Sequence, residues 1–333
     1  MAHSDLIDGF GRVVRDLRIS VTDRCNFRCT YCMEEEMTWL PRSDVLTFEE
    51  FERLGRLMVE RYGVESIRLT GGEPTVRANL AVLVGKLAAM RTDSGPIDVA
   101  MTTNGATLRL LATRLRAAGL RRVNISLDTL DRERFAMMTR RDELPGVLDG
   151  IAAAREAGFD PVKINAVVMR GVNDDELVDL AAFGRREGVE MRFIEWMPLD
   201  ASGGWDVGQV VGQDEIVARI DAVYPLEQVA ARGAAPADRW RYLDGGGTIG
   251  VIPSVTKPFC GDCDRVRLTA DGQFRTCLFS TDEADLRGAL RRGETDDQLA
   301  ARIESAVAGK WAGHHINQVD FVRPARSMSQ IGG

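Results

Sequence analysis

The sequence predicts an α/β fold, a partial (βα)6 TIM-like barrel followed by a C-terminal, partly β extension. Six short β-branched runs alternate with helical stretches between residues 16 and 200, which is typical of a parallel sheet. Six such repeats are fewer than the eight that close a TIM barrel. After about residue 200 the chain becomes richer in glycine and small side chains, and the alternation ends. A doubly wound parallel sheet is the rival architecture.

The predicted elements follow this alternation in chain order. Strands are predicted at residues 16–21, 66–69, 98–102, 122–127, 162–168 and 191–195. Amphipathic periodicity predicts helices between them at residues 47–62, 78–90, 108–118, 144–156 and 174–187. The first helix opens with a capping box formed by Thr47 and Glu50.

Small and polar residues follow four of the predicted strands. They occupy residues 70–74 (Thr-Gly-Gly-Glu-Pro), 102–105 (Thr-Thr-Asn-Gly), 126–128 (Ser-Leu-Asp) and 195–198 (Glu-Trp-Met-Pro). Ligand sites in parallel α/β folds lie at the carboxyl ends of the strands. Gly and Asn also form ordinary turns, but four such loops on one rim favour a cofactor-binding face.

The C-terminal region is predicted to add three strands and two short helices. The strands lie at residues 249–255, 265–269 and 273–277, and Asp271 and Gly272 form a strong hairpin signal between the last two. The helices lie near residues 283–291 and 297–308, and a polar tail covers residues 327–333. We place the domain boundary so that residues 1–225 form the barrel and residues 226–333 the C-terminal domain.

Composition excludes several classes of function. The 333 residues contain 43 Lys and Arg against 50 Asp and Glu, a net charge of −7, which argues against non-specific nucleic-acid binding. No apolar run approaches the ~20 residues that cross a bilayer. Asp5, Asp8 and Arg12 leave no apolar segment for a secretory signal. We therefore expect a cytoplasmic protein with no nucleic-acid or membrane partner.

The six cysteines fall into two groups of three. The first group, Cys-x3-Cys-x2-Cys, follows the first predicted strand, and the second group has the spacing Cys-x2-Cys-x13-Cys; the residues are Cys25, Cys29, Cys32, Cys260, Cys263 and Cys277. Zinc prefers four ligands, which the second group would obtain only if His314 or His315 folded back. A four-iron [4Fe–4S] cluster is normally held by four cysteines. Three cysteines therefore leave one iron open to a ligand that is not protein.

Five basic residues are predicted to form an anion site near the second cysteine group. Arg265 and Arg267 alternate on a predicted strand, so both guanidinium groups point to one face, and Arg is suited to bidentate capture of phosphate. Arg18, Arg68 and Lys163 lie on predicted barrel strands, where an unpaired cation is costly unless it meets an anion. A solvated strand face, or a salt bridge to a neighbouring carboxylate, is the alternative for each of them.

The cysteine motifs resemble those of a known enzyme superfamily. The first motif, with Tyr31 before its last cysteine, resembles the loop of radical S-adenosylmethionine enzymes. Residues 71–74 are similar to the superfamily's glycine-rich segment, which binds the methionine amino group. The sequence Cys-Gly-Asp-Cys-Asp-Arg-Val-Arg at residues 260–267 and the final Gly-Gly resemble the GTP 3′,8-cyclase family of molybdenum-cofactor biosynthesis. This second resemblance extends essentially from end to end.

The resemblance implies a reaction and its cofactors. It implies a radical S-adenosylmethionine barrel whose C-terminal extension carries a second four-iron cluster. The first cluster would donate an electron to S-adenosyl-L-methionine and so generate a 5′-deoxyadenosyl radical. The enzyme would convert GTP to (8S)-3′,8-cyclo-7,8-dihydroguanosine 5′-triphosphate, with the guanine ring on the open iron of the second cluster.

The resemblance also implies roles for individual residues. The six cysteines would ligate the two clusters. Residues that would contact S-adenosylmethionine are Tyr31, Gly72, Ser126 and Met197. Residues that would contact GTP are Arg18, Arg68, Thr102, Lys163, Arg265 and Arg267. Catalytic roles are implied for Arg265, Arg267, Gly332 and Gly333, because the family's C-terminal tail reaches toward the active site.

Partners and alternatives complete the sequence-based prediction. The resemblance implies a homodimer, a flavodoxin- or ferredoxin-like reductant, and transfer of product to the next enzyme, cyclic pyranopterin monophosphate synthase. Another two-cluster radical enzyme, such as a peptide-modifying maturase, is an alternative, although such enzymes commonly have more auxiliary cysteines. A zinc-binding or redox-sensing scaffold is the second alternative. About eight iron atoms per chain would indicate two four-iron clusters, whereas one zinc without sulfide would indicate the scaffold.

Overall fold

The computed structural model describes residues 4–199, 204–229, 231–316, 318 and 321–332. Gly333, for which the sequence predicts a catalytic role, lies outside the described residues. Within them, no helix has the length and apolar character that a bilayer crossing requires.

The described residues form fourteen strands and ten α-helices. The strands are β1 (Asp16–Ser20), β2 (Ser66–Thr70), β3 (Arg91–Thr92), β4 (Gly95–Pro96), β5 (Asp98–Thr103), β6 (Arg122–Ser126), β7 (Val162–Val168), β8 (Glu190–Glu195), β9 (Leu226–Gln228), β10 (Asp238–Tyr242), β11 (Thr248–Ile252), β12 (Arg265–Leu268), β13 (Gln273–Arg275) and β14 (Ala284–Asp285). The helices are α1 (Phe48–Arg56), α2 (Leu80–Ala88), α3 (Ala112–Ala117), α4 (Arg132–Thr139), α5 (Leu144–Glu156), α6 (Leu177–Glu187), α7 (Gln213–Asp221), α8 (Leu286–Arg291), α9 (Asp296–Ala308) and α10 (Met328–Ile331).

The central sheet is an open barrel. Strands β1, β2, β5, β6, β7 and β8 lie side by side in this order, and every neighbouring pair is parallel. A doubly wound sheet would reverse its strand order at a switch point, and this sheet does not. The two edges of the six-stranded unit are covered by C-terminal strands, because β12 pairs with β1 and β11 pairs with β8, both parallel. The predicted partial (βα)6 barrel with a C-terminal, partly β extension is confirmed.

The local predictions hold best for the barrel strands. Each predicted barrel strand is present, and its ends differ from the prediction by one residue or less. The Thr47–Glu50 capping box is present, and α1 continues as a π-helical turn at Leu57–Arg61. The predicted 271–272 hairpin is present between the antiparallel strands β12 and β13. The predicted boundary between residues 225 and 226 falls within one continuous sheet and stays a prediction.

Alternation along the barrel strands separates the core from the site. On β1 and β2, the side chains of Leu17, Ile19 and Ile67 are fully buried and belong to the main apolar core. Successive residues of a strand point to opposite faces. The residues between them, Arg18 and Arg68, therefore face the other side of the sheet, the interior of the barrel.

Candidate active site

Two adjacent cavities occupy the barrel interior. The first cavity, of about 150 Å³, lies where the loop after β1 meets the ends of β2, β5 and β6, and the first cysteine group lines it. The second cavity, of about 390 Å³, is lined by the second cysteine group and by side chains from β1, β2, β6, β7, β8 and β12. Thr102, Asn165 and Ile194 line both cavities. We call these three residues the shared wall.

The first cysteine group fits a four-iron cluster. Cys25, Cys29 and Cys32 are free thiols on one cavity. Burial raises the pKa of Cys25 to about 11 and that of Cys32 to about 12, and a metal would draw off these protons on binding. Within the described residues, no three His, Cys, Asp or Glu side chains form a site for a single metal ion. The thiolates of a four-iron cluster bind different irons, so they need not meet at one point.

The glycine-rich segment lies directly against the cysteine loop. A Cβ on Gly71 would come within 2.2 Å of the Thr22 carbonyl oxygen, and a Cβ on Gly72 within 2.3 Å of the Arg24 carbonyl oxygen. Gly72 N donates to that Thr22 oxygen at 2.9 Å, and Glu73 N donates to the Arg24 oxygen at 2.8 Å. Glycine at these two positions therefore allows the end of β2 to support the loop that carries Cys25.

Glu73 joins the end of β2 to the end of β5. Its carboxylate accepts hydrogen bonds from Thr75 Oγ1 and Thr103 Oγ1, each at 2.6 Å, and from Asn104 N at 2.6 Å. Burial raises the pKa of Glu73, although these donors oppose the shift. Asn104 also directs its amide nitrogen at Cys25 Sγ, 3.8 Å away. These hydrogen bonds thus connect the ends of β2 and β5 beside the first cysteine group.

Tyr31 is held in place by a buried carboxylate. Its hydroxyl donates to Asp128 Oδ2 at 2.7 Å, and Val167 N donates to Asp128 Oδ1 at 2.8 Å. Burial raises the pKa of Asp128 to about 6. Ser126 ends β6 opposite Asn165 of β7 and also lines the first cavity. Of the four residues predicted to contact S-adenosylmethionine, three therefore lie at the first cavity.

Met197, the fourth residue predicted to contact S-adenosylmethionine, does not line the first cavity. It lines the second cavity and packs against an apolar cluster that includes Leu199 and Val255. Its predicted contact with S-adenosylmethionine stays a prediction.

The second cavity brings together every residue predicted to contact GTP. All six line it; they are Arg18, Arg68, Thr102, Lys163, Arg265 and Arg267. Strand register explains the arrangement, since Arg18 lies opposite Arg68 on β2 and opposite Arg267 on β12. Residues directly opposite on neighbouring strands point to the same face. The three arginines therefore form one row across the barrel interior.

Two further arginines of this cavity were not predicted from the sequence. Arg122 on β6 and Arg192 on β8 also line it, which brings the cavity to seven cationic side chains against two carboxylates, Asp16 and Asp264. Arg122 alternates with Asn124 on β6, and Arg192 lies opposite Asn165. The period-two pattern that identified Arg265 and Arg267 could have found Arg122, whose neighbour Asn124 also lines the cavity.

Arg18 and Arg68 are poorly satisfied by the protein, whereas Lys163 and Arg192 pair with the buried Glu190, and Arg122 pairs with Asp98. Arg18 Nε, Arg68 Nε and Arg68 Nη1 are buried without a hydrogen-bond partner among the described residues. Burial lowers the pKa of Arg18 to about 9, with repulsion from Arg265 adding to it, and burial lowers the pKa of Arg68 to about 10. Burial also lowers the pKa of Lys163 to about 8. A buried, unpaired cation is costly unless an anion meets it, so the cavity suits a polyanionic ligand.

The second cysteine group lines the same cavity and has His314 beside it. The His314 ring packs against Phe279 with ring centres 5.2 Å apart, and its backbone N–H donates to Cys260. His315 instead stacks on Trp311. Neither imidazole completes a single-ion site with the cysteines in the described part of the chain. The donor set fits a second four-iron cluster better than it fits zinc.

The C-terminal tail lies between the two cavities. Arg267 Nη1 donates to the carbonyl oxygens of Ile331, at 3.2 Å, and Gly332. Gly332 has φ +71°, and a Cβ there would come within 2.5 Å of Thr70 Oγ1. Ser329 N donates to the Cys32 thiol. The tail therefore touches residues of both cavities, and the catalytic role predicted for Gly332 stays a prediction.

Comparisons with known proteins match nearly the whole chain. Residues 19–184 match the family model "Radical SAM superfamily", and residues 189–316 match "Molybdenum Cofactor Synthesis C". The GTP 3′,8-cyclase of Streptomyces coelicolor is 50% identical over 331 residues, covering 98% of this chain and 96% of that protein. The GTP 3′,8-cyclase of Corynebacterium glutamicum (strain ATCC 13032) is 51% identical over 336 residues, covering 98% of this chain and 89% of that protein.

Solved structures share the fold at low identity. Streptococcus suis SuiB bound to S-adenosylmethionine has a TM-score of 0.59 at 14% identity, covering 94% of this chain and 77% of that chain. The anSMEcpe structure with bound AdoMet has a TM-score of 0.59 at 14% identity, covering 87% of this chain and 77% of that chain. These likenesses show the fold alone.

Proposed function

Because this chain belongs to the GTP 3′,8-cyclase family of radical S-adenosylmethionine enzymes, we propose that it converts GTP to (8S)-3′,8-cyclo-7,8-dihydroguanosine 5′-triphosphate in molybdenum-cofactor biosynthesis. As a member of that family it is a lyase that uses S-adenosyl-L-methionine and two four-iron clusters. One observation carries the proposal. All six residues predicted to contact GTP line one cavity with the second cysteine group, and that cavity shares a wall with the cavity of the first group.

The second cavity is the proposed GTP site. This cavity is lined by seven cationic side chains and two carboxylates. Its excess of positive charge favours a triphosphate over an uncharged peptide. We assign the phosphates to the row formed by Arg18, Arg68 and Arg267, together with Arg265 and Lys163. Cys260, Cys263 and Cys277 would hold the second cluster at the same cavity, where its open iron would take the guanine ring.

The first cavity is the proposed site of the radical cofactor. Cys25, Cys29 and Cys32 would hold the first cluster, and Tyr31, Gly72 and Ser126 would position S-adenosylmethionine. When bound there, that cofactor supplies the radical that removes hydrogen from C3′ of the GTP ribose. The protein orients the two substrates and excludes water, and the shared wall keeps their sites adjacent.

The remaining assignments belong to the same proposal. Met197 would reach S-adenosylmethionine from the wall of the second cavity, and Thr102 would contact the GTP ribose from the shared wall. Arg265 and Arg267 would act with the tail residues Gly332 and Gly333. Family membership supports a homodimer in the cytoplasm, a flavodoxin- or ferredoxin-like reductant, and transfer of product to cyclic pyranopterin monophosphate synthase.

An anaerobic assay tests the proposed reaction. The reconstituted chain is incubated with GTP, S-adenosylmethionine and dithionite, and each reagent is omitted in turn. We expect 5′-deoxyadenosine and a cyclised nucleotide only when all three are present. Formation of 5′-deoxyadenosine that GTP does not change, with no nucleotide product, would overturn the proposal.

A further inference from the structure

Lys310 is a buried cation beside the second cysteine group. It follows α9, and only 4% of its surface is exposed. Its Nζ donates to the Cys263 carbonyl oxygen at 2.7 Å and to the Arg265 carbonyl oxygen at 3.0 Å. No carboxylate of the described residues lies within ion-pairing distance of this ammonium group. Lys310 is therefore fixed next to the cysteine loop without a counter-ion of its own.

A neighbouring cation provides a contrast. Arg12 also reaches the cysteine loop, donating from Nη1 to the Cys260 carbonyl oxygen at 2.5 Å. However, its Nε pairs with Asp8 Oδ2 at 2.6 Å, so its charge is neutralised locally. Of these two buried cations at the loop, Lys310 is the one without a carboxylate at ion-pairing distance among the described residues, although Asp8 and Asp264 lie near enough to interact with it electrostatically.

Lys310 lies beside the residues that would hold the second cluster. Its hydrogen bonds to the Cys263 and Arg265 carbonyl oxygens hold the ammonium group against the segment that carries Cys260 and Cys263. A buried charge is tolerated when an opposite charge and hydrogen bonds compensate it. An iron–sulfur cluster held by these thiolates is anionic and gains one more negative charge on reduction. Net charge, burial and hydrogen bonds set the reduction potential of such a cluster.

The first cysteine group lies in the opposite electrostatic environment. Its cavity is lined by two carboxylates, Glu73 and Asp128, and by no lysine or arginine among the described residues. The two sites of one chain therefore differ in the sign of the charge built around them.

We propose that Lys310 is the built-in counter-charge of the second cluster and raises its reduction potential relative to that of the first. Lys310 is a positioning residue, since it acts through the cluster and touches no substrate. The inference rests on the proposed function in one respect, which is that Cys260, Cys263 and Cys277 hold a cluster. It assigns the easier reduction to the GTP-binding site and the harder reduction to the S-adenosylmethionine site.

Three variants of the full chain separate charge from packing. Lys310→Gln keeps N–H donors for the two carbonyl oxygens and removes the charge. Lys310→Arg keeps the charge. Lys257→Gln is the matched control, because it removes a lysine charge from an exposed pair with Asp214. Each variant is reconstituted anaerobically, its iron is counted, and both clusters are titrated by electron paramagnetic resonance, with Cys277→Ser identifying the signal of the second.

The expected result concerns the second cluster alone. In Lys310→Gln, we expect its equilibrium constant for reduction to fall about tenfold, which is about 59 mV for a one-electron couple. The reduction potential of the first cluster should stay at its wild-type value in Lys310→Gln. Both reduction potentials should stay at their wild-type values in Lys310→Arg and in Lys257→Gln.

An unchanged reduction potential of the second cluster in Lys310→Gln, or an equal shift of both clusters, would overturn the proposal. Failure of Lys310→Gln to retain the second cluster would also overturn it, because Lys310 would then be structural support. A wild-type chain without any second cluster would instead contradict the proposed function.

Discussion

Single residues of the second cavity carry charge that the fold leaves uncompensated. Arg68 has two buried nitrogens without a hydrogen-bond partner among the described residues. Burial lowers its pKa, and of the neighbouring charges Asp16 opposes this while Arg122 and Arg192 add to it. Asp16 is shared with Arg18, whose Nε lies 4.0 Å from it. The ligand-free chain therefore holds an unfavourable charge cluster that an anion would relieve.

The variant Arg68→Met tests this reading. It removes the charge and keeps an unbranched side chain on β2. Hydrogen bonds to charged groups contribute about 1.5–3 kcal/mol, so the Kd for GTP should rise at least about tenfold in isothermal titration calorimetry. The free energy of unfolding of the ligand-free chain should stay the same or increase, because the repulsion is gone.

A surface arginine serves as the matched control for Arg68. Arg302 on α9 pairs with Glu294 at 2.7 Å and lies outside the second cavity. Arg302→Met should leave the affinity for GTP unchanged. Unaltered GTP binding in Arg68→Met, together with a large loss of stability, would show that Arg68 supports the fold and not the ligand.

We expect Lys163 to make GTP binding depend on pH. Burial, with repulsion from Arg192, lowers its pKa to about 8 in the ligand-free chain. An anion favours the ammonium form, so binding takes up a proton when the pH exceeds this value. The affinity for GTP should therefore fall as the pH rises through about 8, and calorimetry at pH 7 and pH 9 would measure the difference. Lys163→Arg, which stays charged, should flatten the profile; an equal fall in that variant would refute the assignment to Lys163.

At the scale of elements, the turn after β2 supports the loop after β1. The closest approach is at Gly72, where a methyl group would meet the Arg24 carbonyl oxygen at 2.3 Å and the Asp23 carbonyl oxygen at 2.5 Å. Gly72→Ala should therefore displace the loop that carries the first cysteine group. Iron analysis should show loss of about four of about eight iron atoms.

Gly85→Ala provides the control for this substitution. Gly85 lies within α2, where a Cβ would meet only the Ala118 carbonyl oxygen at 3.9 Å. Its iron content should equal that of the wild type. Full iron loading in Gly72→Ala would mean that the contact between the turn and the loop does not hold the first site together.

Elements differ in how far the sequence predicts them. The barrel strands are buried β-branched runs, and local pattern was sufficient to find them. The helix α4 was missed because only Phe135, Met138 and Thr139 of its eight residues are buried, which gives no regular apolar stripe. The strand β9 is a three-residue edge strand, and β10 lies between it and β11; both depend on pairing more than on propensity.

The site was predictable where spacing carries the chemistry. The cysteine groups and the Arg265–Arg267 pair are read from neighbouring residues. Lys310 and Arg192 were not found, because their positions depend on long-range pairing and on the return of the chain after α9. No local pattern shows that β12 joins β1 or that β11 joins β8.

At the scale of the whole molecule, the barrel keeps two cysteine sites separate yet adjacent. The groups lie on different cavities that meet at Thr102, Asn165 and Ile194. Cys277→Ser should therefore retain about four iron atoms of about eight and should weaken GTP binding. Cys32→Ser should lose a similar amount of iron and still bind GTP. Loss of all iron in either variant would contradict the independence of the two sites.

The most direct test follows the transfer of one hydrogen atom from ribose C3′ of GTP to 5′-deoxyadenosine. The chain is incubated anaerobically with S-adenosylmethionine, dithionite and GTP that carries deuterium at ribose C3′, and the products are analysed by mass spectrometry. We expect 5′-deoxyadenosine that has gained one deuterium, formed in equal amount with a 3′,8-cyclised nucleotide that has lost it. Unlabelled 5′-deoxyadenosine, with the deuterium still on the nucleotide, would contradict this expectation.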